Sequence, residues 1–124
     1  MKNTKNLNEK VKMMTRLKME LRRTVELNIP DQSEFLKNGS IQQVVWMEEM
    51  AELQQAISKG LRGKLNRDNL VEETADVIIC LTQLCEENKI TTEELQQMID
   101  KKHKRNAERQ AKQGHVYKDE NIIE

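Results

Sequence analysis

"EEMAEL", Glu48 to Leu53, is echoed twenty-four positions later by "EETADV", Glu72 to Val77. Both read Glu-Glu-x-Ala-acid-aliphatic, and each is embedded in residues with the spacing of an amphipathic helix. At about 100° per residue, Glu49 and Glu52 project from the same side of one helix as Val45, Leu53 and Ala56. On the second helix Glu73 and Asp76 share a side with Leu70, Val77, Cys80 and Leu84. These are the apolar sides, and the C-terminal half of the second helix is apolar nearly all round, as in a central core helix. The leading Glu48 and Glu72 point about 100° away.

Ser40 offers an N-cap for the first of these two helices, which is expected to reach about Lys59, with Gly60 in the left-handed terminal conformation. After the loop "GLRGKLNR", Asp68 caps the next helix, which runs to about Glu87 and ends at Asn88. Thr91 and Glu94 form a capping box that opens a further helix through about Lys112. Upstream, Leu7, Val11, Met14, Leu21 and Val25 predict a helix over residues 6–27, stopping before Pro30. The connector "NIPDQSEFLKNGS" then holds a short turn around Phe35, and the tail after Gly114 is either a flexible end or an arm for a neighbouring subunit.

Composition agrees with four helices. The 124 residues contain one Pro, four Gly and three aromatic side chains, Phe35, Trp46 and Tyr117, amid many strong helix formers. Length and pattern predict one all-α domain, a four-helix bundle with its core over residues 40–112, an N-terminal helix and connector over 1–39 and a tail over 113–124. Lys plus Arg and Asp plus Glu both number 21, so no global charge draws the chain to nucleic acid, and charge-based function is local. The longest apolar run, Val77 to Leu81, is far short of a membrane span, and "MKNTKNLNEK" lacks a signal-peptide core. A cytoplasmic location is expected. Cys80 and Cys85 lie five apart on one helix with divergent side chains, so both read as reduced core thiols.

Antiparallel pairing of the two helices would set Glu49, Glu52, Glu73 and Asp76 at similar height. Acidic clusters are usually solvated faces balanced by Lys or Arg one turn away, and that explanation serves Glu48 and Glu72 as well as a functional one. It fails for the inner four, because no Lys or Arg occurs from Ile41 to Ser58 or from Asp68 to Asn88. A buried anion takes up a proton or finds a cation. An all-oxygen set suits Mg²⁺ or Mn²⁺ better than zinc, which prefers His or Cys.

Glu48-Glu49-x-x-Glu52, twenty intervening residues and Glu73-x-x-Asp76, followed by "VIICLTQL", resemble the signature of the all-α nucleoside triphosphate pyrophosphohydrolases, the MazG-like group. That superfamily includes dimeric dUTPases, dCTP pyrophosphatases and phosphoribosyl-ATP pyrophosphohydrolase. The resemblance is good over Ile41 to Leu84 and looser over the last helix. It implies that Glu49, Glu52, Glu73 and Asp76 hold Mg²⁺ and that water attacks the α-phosphorus, giving a nucleoside monophosphate and pyrophosphate. Glu48 or Glu72 is then a candidate for orienting the water.

Lys102, Arg105, Asn106 and Arg109 fall on one face at i, i+3, i+4 and i+7, and the resemblance implies a phosphate-binding role; a basic helix end is also expected from the helix dipole. Lys59, Arg62, Lys64 and Arg67 are a second basic group. Trp46, one turn before Glu49, is placed to flank a nucleobase, although a lone Trp on an apolar face is more commonly core. Gln42 and Gln43 read a base edge or cap the helix start, His103 and His115 receive no role, and the seven Met fit core or subunit interface.

The expectation is a Mg²⁺-dependent (d)NTP pyrophosphohydrolase that clears unwanted nucleotides as a homodimer or homotetramer. A narrower substrate such as dUTP, dCTP or phosphoribosyl-ATP is the alternative within the class, with phosphoribosyl-ATP last because the first helix and connector exceed that minimal enzyme's needs. A non-enzymatic helical interaction protein is the rival from another class.

Overall fold

Every regular element in the computed structural model, which describes residues 6–11, 13 and 22–113, is a helix. In chain order these are α1 (Ser33–Leu36), α2 (Ser40–Leu61), α3 (Arg67–Glu87) and α4 (Thr92–Gln113), preceded by helical residues 6–11 and 13. The chain divides into two compact units, Asn28–Gln96 and Met1–Leu27 with Gln97–Glu124. No helix among the described residues is long and apolar enough to cross a membrane.

The first unit is built on α2 and α3, which pack along each other across the short connection 62–66, with α1 against α3. The expected apolar stripe is present: Trp46, Ala56 and Cys80 are buried, and Val45, Leu53, Leu70, Val77 and Leu84 half-buried. The core is thin, however. Among the described residues no large side chain is fully enclosed, and Leu81 is 45% and Val71 53% exposed, so α3 is not the centrally buried helix its composition suggests. Within this unit α2 packs along it and α1 against it.

The helix ends differ from expectation in instructive ways. Ser40 is the first helical residue rather than the cap; Gly39, at φ +61, precedes it with no side-chain cap. Gly60 lies inside α2, where a Cβ would come within 3.1 Å of Leu65 Cδ1. The left-handed residue is Gly63, at φ +77. The chain turns where Lys64 N donates to Lys59 O at 2.8 Å. Asn66, not Asp68, caps α3, its side chain accepting from Asn69 N. Asp68 sits in the first turn, where its charge still complements the helix dipole.

α3 ends as predicted at Asn88, whose amide donates to Leu84 O at 2.9 Å. The capping box is present, with Glu94 N donating to Thr91 Oγ1 at 3.1 Å and Thr91 N to Glu94 Oε2 at 3.4 Å. The short turn at Phe35 is α1, started by Asp31 Oδ1 accepting from Ser33 N.

The helix expected over residues 6–27 does not extend that far: residues 22–30 are non-helical. Thr24, Val25 and Ile29 are β-branched, and Pro30 disfavours the helical conformation at Ile29. Residues 14–21, which carry Met14 and Leu21 of that pattern, and the tail after Gln113 lie outside the described residues. In the second unit, exposed Arg22 donates to Asp100 at 2.8 Å.

Candidate metal centre

The i,i+3 spacing on each helix brings carboxylates from both into one cluster. One oxygen from each of Glu49, Glu52 and Glu73 lies within 4.8 Å of the others. Glu49 and Glu73 are half-buried and Glu52 is exposed, so Glu52 forms the wet rim rather than part of a dry interior. Asp76, half-buried, lies one turn beyond Glu73. Glu48 and Glu72 are exposed.

Two of these carboxylates are visibly incomplete. Oε2 of Glu49 and Oε2 of Glu73 are buried with no hydrogen-bond partner among the described residues. Burial pushes the Glu49 carboxyl up from the ordinary range, and the negative charges of Asp76, Glu52 and Glu73 add to it. Glu73 is raised in the same direction, first by burial and then by Glu52, Asp76 and Glu72. No Lys or Arg occurs from Ile41 to Ser58 or from Asp68 to Asn88, so the helical stretches that carry the carboxylates supply no counter-charge of their own. Several hard oxygens, orphaned and mutually repelling, fit a divalent cation that prefers oxygen ligands. The buried Cys80 thiol is pushed up by its burial and by nearby Glu49 and Asp76.

A cavity of about 430 Å³ adjoins the cluster. Glu49 and Asp76 line it together with Pro30, Phe35, Val45 and Ile79, and Gln32, Gln42 and Gln83 also face it. All three glutamines are more than nine-tenths buried. Gln83 Oε1 accepts from Trp46 Nε1 and from Gln42 Nε2, each at 2.8 Å. Its Nε2 donates to Gln32 Oε1 at 2.7 Å, and Gln32 Nε2 donates to Pro30 O at 2.7 Å. Asn38 Nδ2 completes the chain by donating to Gln42 Oε1 at 3.2 Å.

Trp46 is therefore a core residue, 6% exposed, whose indole reaches the cavity only through Gln83. Gln32 and Gln83 escaped sequence reasoning. The available signal was Gln83 itself, a lone amide on the Cys80 and Leu84 side of an apolar run; nothing local marked Gln32.

Of the candidate phosphate-binding residues, Lys59 is exposed in the last turn of α2, in the unit that holds the carboxylates. Lys102, Arg105, Asn106 and Arg109 are exposed on α4, in the other unit. Asn106 and Arg109 line a separate cavity of about 320 Å³ with Gln110 and Gln113.

In comparison with known families, the family model described as phosphoribosyl-ATP pyrophosphohydrolase matches residues 19–106. No curated protein and no solved structure matches the chain.

Proposed function

We propose the following from the premise that the chain belongs to the phosphoribosyl-ATP pyrophosphohydrolase family, and is thus a nucleotide pyrophosphohydrolase of the all-α, MazG-like superfamily. It hydrolyses (d)NTP to (d)NMP and pyrophosphate, clearing unwanted nucleotides, with a single catalytic domain centred on residues 40–112. The pair of orphaned oxygens, Glu49 Oε2 and Glu73 Oε2, carries this reading. A partner protein would gain nothing from leaving buried anions uncompensated, whereas a metal-dependent hydrolase needs them so.

Glu49, Glu52, Glu73 and Asp76 are the residues that would hold Mg²⁺, with Mn²⁺ as a substitute. When bound it neutralises phosphate charge and acidifies water. The remaining work falls to the chain. Water attacks the α-phosphorus, the bond from that phosphorus to the bridging oxygen breaks, and pyrophosphate leaves. Glu48 or Glu72, each exposed beside a ligand, takes the water's proton. Lys59, Lys102, Arg105, Asn106 and Arg109 bind the phosphates. Trp46 acts through Gln83, holding the amide that faces the substrate cavity. A homodimer or homotetramer would cover the exposed Ile41, Val44, Met47 and Leu61 of α2.

One observation favours a narrower reading. The matching family is described by phosphoribosyl-ATP, which moves that substrate ahead of dUTP and dCTP among the specific alternatives. Pyrophosphate release from a panel of nucleoside triphosphates and phosphoribosyl-ATP, with Mg²⁺ and with chelator, tests both. Release from several triphosphates supports the broad reading, release from phosphoribosyl-ATP alone the narrow one. Release from none removes the proposed activity.

A further inference from the structure

The buried glutamines beside the carboxylates also fix the position of Phe35. Gln32 is 5% exposed and its Oε1 accepts from Gln83 Nε2 at 2.7 Å, which pins the start of α1 to α3. Gln32 O then accepts from Phe35 N at 3.1 Å and from Leu36 N at 3.3 Å, and Phe35 O accepts from Asn38 N at 3.1 Å. Leu36, next to it on α1, is half-buried. The backbone of Phe35 is thus held on both sides, while its side chain is 50% exposed and lines the cavity.

A single exposed apolar side chain is ordinary on a protein surface. Two observations set Phe35 apart. Among the described residues the other aromatic side chain is Trp46, which is buried and is not part of the cavity wall, so Phe35 supplies that wall's one flat apolar face. The charged residues of the wall are Asp31, Glu49 and Asp76, all acidic, and no Lys, Arg or His among the described residues joins them. A polyphosphate is therefore repelled from this space except where the metal held by the carboxylates would offset its charge. A neutral, flat group suits the rest, with its face on Phe35 and its polar edge toward the Gln32 and Gln83 amides. The volume of about 430 Å³ lies within the range of small-molecule sites.

We propose that this cavity seats the nucleobase of the substrate with Phe35 stacked on its face, while the phosphates lie at the neighbouring carboxylate cluster. Glu49 belongs to both, lining the cavity and contributing to the cluster, so base and phosphates of one nucleotide meet the protein at adjoining places. Stacking uses the π-face that every base has, so it tolerates purines and pyrimidines alike. Adenine is accepted with the rest, and the inference fits the broad substrate reading and the narrow one equally. It rests on the nucleotide pyrophosphohydrolase reading and gives the base-flanking role, expected of Trp46 from the sequence, to Phe35.

The test is calorimetric titration with Mg²⁺ of three ligands: α,β-methylene-ATP and α,β-methylene-UTP, whose bridging carbon resists hydrolysis, and inorganic tripolyphosphate, which has no base. Both nucleotides should bind the native protein more tightly than tripolyphosphate. Phe35→Ala should weaken both nucleotides by at least about tenfold and leave tripolyphosphate unchanged. Phe35→Tyr, which keeps the ring, should retain native affinity. Phe35→Leu keeps apolar bulk without a π-face, so it should lose affinity as Ala does, and it provides the test if the Ala variant does not fold. In turnover the Ala variant should raise KM and spare kcat. Nucleotides that bind no tighter than tripolyphosphate, equal losses for all three ligands, or unchanged nucleotide affinity in a folded variant overturns the inference; the last outcome would leave the ring as contact surface for another chain. Pyrophosphate release indifferent to Phe35 would remove this inference alone; Phe35-dependent nucleotide binding without release from any substrate would remove the proposed activity alone.

Discussion

Glu49 on α2 and Glu73 on α3 each turn Oε2 into buried space where none of the described residues donates to it, while one oxygen of each carboxylate lies within 4.8 Å of the other's. Two facing helices thus hold like charges together at a cost that the unliganded protein does not recover.

That cost has a definite pH signature. Both carboxyls are raised, so between the ordinary Glu value and the raised one the native state binds more protons than the unfolded chain. Stability then falls as pH rises through that window. In chelator, the melting temperature should be higher near about pH 5 than near about pH 7.5. Mg²⁺ should raise it most at the higher pH, flattening the profile. A chelated protein whose melting temperature rises across this range would contradict the assignment.

Neutralising one ligand separates stability from turnover. Glu73→Gln should raise the melting temperature of the metal-free protein, because it relieves repulsion at Glu49, Glu52 and Asp76. Glu52→Gln and Asp76→Asn should leave far-UV circular dichroism unchanged and lower kcat/KM by at least about a hundredfold. Near-normal activity in either would place the site elsewhere.

Arg105→Ala should weaken triphosphate binding more than monophosphate binding, a comparison readable from KM and from product inhibition. Equal losses would take Arg105 out of the phosphate site.

Trp46→Phe keeps most of the buried ring but deletes its donor. Gln83 Oε1 retains Gln42 as a partner, so the loss in chemical denaturation should be modest, about 1 kcal/mol. A loss several times larger would mean that the ring's packing outweighs its hydrogen bond.

The two glycines of the α2 end should respond in opposite directions. Gly60→Ala gains up to about 1 kcal/mol of helix propensity and meets only the exposed, movable end of Leu65. Gly63→Ala, at φ +77, should cost about 1 kcal/mol or more. Thermal melts of the pair check both signs.

The helical class and the facing acid pairs were legible in the sequence, because periodicity and spacing are local properties. Glu49 and Glu73 could be placed by counting residues. The cap positions were less so: Gly60 and Gly63 differ only in whether Leu65 comes close or φ turns positive, which depends on the path of the loop. The relay was invisible, since Gln32, Gln42 and Gln83 are separated by up to 51 residues and meet only after α1, α2 and α3 pack. Glu52 looked buried by angle and is exposed, because no neighbour within its unit covers the rim.

The long stretches of α2 and α3 without a cation also have an analytical consequence. Trypsin cleaves after Lys and Arg, and neither occurs from Asn38 to Ser58 or from Asp68 to Asn88. Digestion therefore releases Asn38–Lys59, carrying Gln42, Trp46, Glu49 and Glu52, and Asp68–Lys89, carrying Glu73, Asp76, Cys80 and Gln83. Each helix's share of the site travels on a single peptide, so carboxyl labelling read by mass spectrometry can follow the two halves independently.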